Sequence, residues 1–306
     1  MWALKHLVWA VENSVKKQCL EELESGWLVQ LICADTEDDA LHARTQSHSQ
    51  DPDDDEDMDV ETIDDDSSNT RSWLWPAMYR MPCHPTFAAL RSKSAQMQKA
   101  EKRLVALRDT EVNPTRKARN DDLAIQEQAI NFIRNLMGQP TTGNIAEMVE
   151  YVFSEIGQEK LFEILASKLR VRVLHPFARR YPTTRETRVL YPQAKVIEAV
   201  IFVLVHIAAS IPKHRQLVIA QRDLLKLLEQ HFNSKDSGVR GALCHLLTNL
   251  VWQDDSADAM ACGQRANELR KMGFLQRLEA LEQEDVELDI RERARAAVWQ
   301  MKTGNS

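Results

Sequence analysis

One short helical pattern recurs along this chain and always carries a polar residue in the same register. The segments AINFIRNLM (129–137), VIFVLVHIA (200–208) and ALCHLLTNLVW (242–252) each have apolar residues at helical spacing, with Asn135, His206 and Asn249 at the matching position. WALKHL, near the start, places His6 in that same register. A second register repeats alongside it. Trp27, Leu28 and Leu31 follow Gly26, and the same offsets give Leu161, Phe162 and Leu165 after Lys160, Leu224, Leu225 and Leu228 after Asp223, and Phe274, Leu275 and Leu278 after Gly273. One helical unit is being reused. No single copy can bury its apolar face alone, so the copies are expected to stack side by side.

The spacing from His206 to Asn249 is 43 residues, within the range of armadillo and HEAT-type repeats. The spacings from His6 to Asn135 (129) and from Asn135 to His206 (71) are longer, which places inserts between those copies. The expected fold is therefore an all-α, armadillo/HEAT-type right-handed α-solenoid with a disordered acidic insertion. Residues 1–33 form a partial repeat and 34–71 the acidic insert. Residues 72–120 read as a variable insert with a helix, and 121–302 as the C-terminal repeats, interrupted at 171–194 by an Arg-rich loop. Sparse Gly (9) and Pro (10) and an aromatic content of 6% agree with helices rather than a turn-rich β fold.

The formal charge of −7 conceals a division. Asp35 to Asp66 holds fifteen Asp or Glu against one basic residue, Arg44, leaving the remainder of the chain at +7. Such a tract cannot bury enough apolar surface to offset chain entropy. It would also repel phosphate, so nucleic acid is not an expected partner. The five cysteines are scattered without a CxxC and read as reduced thiols. The most apolar run, Val196 to Ile211, contains Glu198 and His206 and is too short to span a bilayer, so no membrane partner is expected either.

The segments WALKHL, QEQAINFIRNLM, ALCHLLTNLVWQDD, RANELRKMGFLQRLEAL and RARAAVWQM resemble the C-terminal armadillo repeats of the armadillo-repeat scaffold subunit of the GID/CTLH E3 ubiquitin-ligase complex. The resemblance covers the four helical blocks and neither insert. It implies a non-catalytic scaffold whose concave groove holds the tail of a substrate receptor, with ubiquitin transfer left to separate RING-type subunits. Cytoplasmic and nuclear residence and protein partners within the ligase follow from it. In an armadillo solenoid the last helix of each repeat lines that groove. An Asn there can offer a donor and an acceptor to the backbone of an extended peptide. The expected groove residues are Trp2, His6, Trp9, Asn131, Asn135, Phe202, His206, His245 and Asn249. The same residues could instead bond neighbouring helices within the stack. Trp252 and Trp299 are expected to pack, and Trp27 and Phe274 to lie in the core between repeats.

No catalytic or metal site is expected. Cys83-His84 lacks a second pair at zinc spacing, the acidic tract lacks the Gly and spaced ligands of a calcium loop, and GxSxG, GxGxxG, Walker A and HExxH are absent. No cofactor follows. Two rivals stand: another armadillo adaptor (nuclear-import or catenin-like) and an enzyme built on 72–120. The residue four before each ladder position varies (Trp2, Asn131, Phe202, His245), unlike the repeated Trp–Asn pairs of a basic-peptide reader. Because α-helical sequence begins at Met1-Trp2 with no N-cap and an uncovered apolar face, the chain is expected to be a fragment of a longer scaffold and prone to aggregate alone.

Overall fold

The computed structural model describes residues 2–33, 114–138, 144–174 and 188–303. The acidic insert, most of 72–120 and the middle of the Arg-rich loop lie outside them, and with them the disorder and helix expected there. Thirteen α-helices are described: α1 Trp2–Leu7, α2 Asn13–Leu23, α3 Ser25–Cys33, α4 Pro114–Leu136, α5 Ile145–Ile156, α6 Gln158–Leu169, α7 Ala194–Ala208, α8 Pro212–Ala220, α9 Arg222–Glu229, α10 Ser237–Leu250, α11 Ala259–Lys271, α12 Phe274–Glu284 and α13 Leu288–Thr303. A 3₁₀ turn, Gln230–Asn233, extends α9.

The helices fall into threes. Helices α2-α3-α4, α5-α6-α7, α8-α9-α10 and α11-α12-α13 are successive three-helix units, and α1 holds the position of a third helix ahead of them. Like packs on like: α10 lies between α7 and α13, α6 packs on α9, and α8 on α11. The turns between first and second helices are short and chemically specified. Gly157 leaves α5 with φ 91° and its N–H on the Phe153 carbonyl, and Gly273 opens α12 at φ 88°. Between α2 and α3 the turn residue is Glu24, at φ 55°, and Gly26 lies inside α3 rather than at the turn. Asn144 and Asp236 cap α5 and α10 by accepting the N–H of Ala146 and Gly238 at 2.9 and 2.8 Å. Pro212 sits in the first turn of α8, where a missing N–H costs nothing.

The third helices carry the centre of the core. Helix α7 buries Val196, Ile197, Val200, Ile201, Val203, Leu204 and Ile207, nearly its whole circumference, because it is flanked by other helices on several sides. The second-helix register also points inward: Leu28, Leu161, Phe162, Leu165, Leu224, Leu225, Leu228, Phe274 and Leu278 are buried. Trp27 is the correction. It is 41% exposed, because Leu28 and Ile32 take the inward face of α3.

The fold is not purely helical. Arg172–Leu174 (β1) pairs antiparallel with Arg188–Leu190 (β2), with Val173 opposite Val189, at the base of the Arg-rich segment expected to be loop throughout. Both strands read Arg-Val-Leu, and the β-branched Val of each favours the extended backbone of a short ribbon. Arg179, Arg180 and Arg185 lie outside the described residues.

Candidate functional site: the wall of third helices

Two hydrogen bonds join ladder positions in pairs. The Nδ2 of Asn135 on α4 donates to the Lys5 carbonyl on α1 at 2.8 Å. The Nδ2 of Asn249 on α10 donates to the Val205 carbonyl on α7 at 3.3 Å. Lys5 and Val205 immediately precede His6 and His206, so each Asn reaches the equivalent point of a neighbouring third helix. The amide N–H groups thus stitch the stack. Asn135 is buried, Asn131, Phe202, His206 and Asn249 are half-buried, and His6 and His245 are exposed. The side chain of Trp2 lies outside the described residues. Three residues past His6 and Asn249 stand Trp9 and Trp252, at matching positions, 59% and 51% exposed.

The tryptophans correct the sequence expectation. The sequence predicts packing for Trp252 and Trp299, yet Trp299 is 66% exposed as well. On α13 the inward positions are already filled by Ala294, Ala297, Val298 and Met301. Trp252 follows the last residue of α10, beyond the buried Leu250 and Val251. It borders a shallow cleft of about 240 Å³ shared with Ala208, Ala209, Arg215, Asn249 and Asp254.

Toward α4 the wall is cationic. The Arg134 guanidinium lies over the Phe202 ring, 3.9 Å from its centroid, and Phe202 meets His245 edge-on at 6.2 Å. His206 is pushed down to about 4 by burial, reinforced by Arg134, His245 and Lys16. Burial also lowers His245, with Arg293 and Arg134 adding to it. Both imidazoles therefore sit neutral at physiological pH.

A second ladder, not anticipated from the sequence, runs along the first helices. Arg215 (α8) is 1% exposed, donates from Nε to the Ala208 carbonyl at 2.9 Å, and grips Asp254 with both terminal nitrogens. Arg265 (α11), also 1% exposed, donates to the Leu250 and Trp252 carbonyls and grips Asp258 in the same way. Lys16 (α2) is fully buried with Nζ 2.7 Å from the Gly138 carbonyl. In each case a cation from a first helix closes the C-terminal end of a third helix, where unsatisfied carbonyls and the negative end of the helix dipole meet.

Among the described residues no group of three or more His, Cys, Asp or Glu is placed to hold a metal ion, and no helix is long and apolar enough to cross a membrane.

Three-helix units stacked like on like define an armadillo-type α-solenoid. Residues 118–261 match the family model described as the VID28/GID5 C-terminal domain. GID complex subunit 5 of Saccharomyces cerevisiae is 28% identical over 150 residues, which make up 42% of this chain and 15% of that protein. Among solved structures, an engineered protein is 19% identical with a TM-score of 0.42, covering 60% of each chain. A designed armadillo repeat protein is 16% identical with a TM-score of 0.40, covering 58% of each. Likenesses this distant add nothing to the fold that the packing has not already given.

Proposed function

We propose that this chain is a non-catalytic subunit of a GID-type E3 ubiquitin ligase that holds an extended segment of the substrate receptor against its third-helix wall. It thereby supports ubiquitin-dependent proteasomal degradation, in the cytoplasm and nucleus. The observation that carries this reading is the wall itself. Trp9 and Trp252 project into solvent from equivalent repeat positions, beside a ladder whose members are held in register by the bonds from Asn135 and Asn249. Large aromatics on a rigid frame are the side chains that most often anchor a partner. The VID28/GID5 domain match supports placing that partner within the same complex.

The test is affinity purification of the full chain from cells, with and without Trp252→Ala combined with Trp299→Ala. The expected result is recovery of ligase subunits by the parent and loss of the receptor by the variant, with unchanged helicity. Equal receptor recovery by both rejects the wall as the binding surface.

A further inference from the structure

The cationic end of the wall lacks a matching anion. Arg134 has no ion pair among the described residues, and its Nε is buried without a hydrogen-bond partner. Glu198 is the carboxylate whose field reaches it, but that carboxylate is bonded to Lys195 at 2.7 Å. Lys16 contributes a second buried cation whose bond goes to a neutral carbonyl. His206 and His245, on α7 and α10, are lowered first by burial, and the charges that add to it are all positive: Arg134, His245 and Lys16 for His206, Arg293 and Arg134 for His245. A half-buried guanidinium with no ion-pair partner among the described residues and a ring beneath it is preorganised to take a carboxylate, with little left to order on binding.

We infer that the wall spanning α4, α7 and α10 is a carboxylate-binding surface whose occupant is an extended partner segment carrying acidic side chains. This rests on the wall-binding reading above and gives the partner's chemistry. Arg134 takes the carboxylate, Phe202 holds the guanidinium flat, and His206 and His245 lie along the path of the segment. Adjacent third helices are about 9 Å apart, close to three residues of extended chain, so acidic side chains about three residues apart would meet successive helices. A basic segment is disfavoured by the same field.

The probe is a nine-residue peptide, acetylated and amidated so that no terminal carboxylate is present, with two Glu three residues apart among Leu and Ser. The comparison peptides replace both Glu by Gln or by Lys, and a fourth is the Gln peptide with a free C-terminus. Binding to the full chain is read by fluorescence anisotropy. The Glu peptide is expected to bind about tenfold more tightly than the Gln peptide at low salt, less so as salt rises. Arg134→Gln should erase that preference, and Arg134→Lys should keep part of it. The imidazole of His206, followed by NMR, should titrate at higher pH with the Glu peptide bound, a change that a purely structural role for Arg134 would not produce. Equal binding of Glu and Gln peptides, preference for the Lys peptide, tighter binding of the free-acid Gln peptide, or no binding of the Glu peptide at millimolar concentration would each overturn the inference. Receptor capture without a Glu preference would sink this inference alone and leave the proposed function standing.

Discussion

Replacing Arg265 by Met should detach the last repeat from the stack. The guanidinium makes four hydrogen bonds, to both oxygens of Asp258 and to the Leu250 and Trp252 carbonyls, at 2.8–2.9 Å. Removing it leaves Asp258, whose side chain is 4% exposed, as a buried carboxylate. Removal of one partner from a buried pair costs about 3–5 kcal/mol. The lower end is expected, because Arg215 stands 3.8 Å from the same carboxylate and can partly replace the lost cation. A domain of this size shifts by about 2–4 °C per kcal/mol, so thermal unfolding should fall by roughly 6–12 °C. Each repeat contacts only its neighbours, so amide exchange should accelerate first in α11, α12 and α13 and least in α2 and α3. Adding Asp258→Leu to Arg265→Met should restore part of the loss, since no orphaned charge remains, and the double-variant cycle should show a coupling of about 1.5 kcal/mol or more. Coupling near zero, or uniform acceleration along the chain, would refute the argument. Acid should mimic the variant. The Arg265 hydrogen bonds hold Asp258 below its usual pKa of 3.8, so this stabilisation is present above that value and is lost as pH falls through the lower folded value.

Other perturbations have equally definite outcomes. Burial pushes Lys16 down to about 8 from 10.5, so the unfolded chain holds the extra proton between those values. Stability should therefore rise across that window, by at most roughly 3 kcal/mol, and Lys16→Met should flatten the rise in denaturant titrations. Asn135→Ala should cost about 1–2 kcal/mol and Asn249→Ala about 1 kcal/mol or less by chemical unfolding, because the first amide is buried on a 2.8 Å bond and the second half-buried on a 3.3 Å bond. Acrylamide should quench tryptophan fluorescence strongly in the parent. Trp252→Ala and Trp299→Ala should each remove a quenchable component with a stability change near 0.5 kcal/mol or less, whereas a large loss would return them to the core.

Much of the frame was legible in the sequence because stacking repeats write their apolar spacing into it. The second-helix register picked out Leu28, Leu165, Leu225 and Leu278, all now buried. The shared register of His6 with Asn135 and of His206 with Asn249 was equally readable, since one helical face repeats, and the bonds to Lys5 and Val205 fall beside those histidines. The direction in which Asn135 and Asn249 spend their N–H groups was not readable. An amide at a given register can face a peptide or the neighbouring helix, and helix spacing decides between them. Trp27, Trp252 and Trp299 misled for a related reason. Hydrophobicity marks a residue as able to be buried, but the inward positions had already been filled by Leu28, Leu250 and Val298. Arg215 and Arg265 escaped notice because a cation on a helix ordinarily marks a solvent face. Their burial depends on Asp254 and Asp258 in the turn between α10 and α11; that turn is remote in sequence from Arg215, and its Asp258 is the N-terminal cap of Arg265's own helix.

The connections differ sharply by type. First and second helices are joined through Glu24, Gly157, Gln221 or Met272–Gly273, whereas second and third helices are joined by 34–113, 170–193, 230–236 and 285–287. That corner is where the chain can lengthen without cutting the stack, since closing a loop twice as long costs only about 0.6 kcal/mol more. An added folded module spliced at 230–236 should be accommodated as readily as the long natural excursion after α3. The fold can thus acquire new appendages at one address while the wall of third helices stays the same.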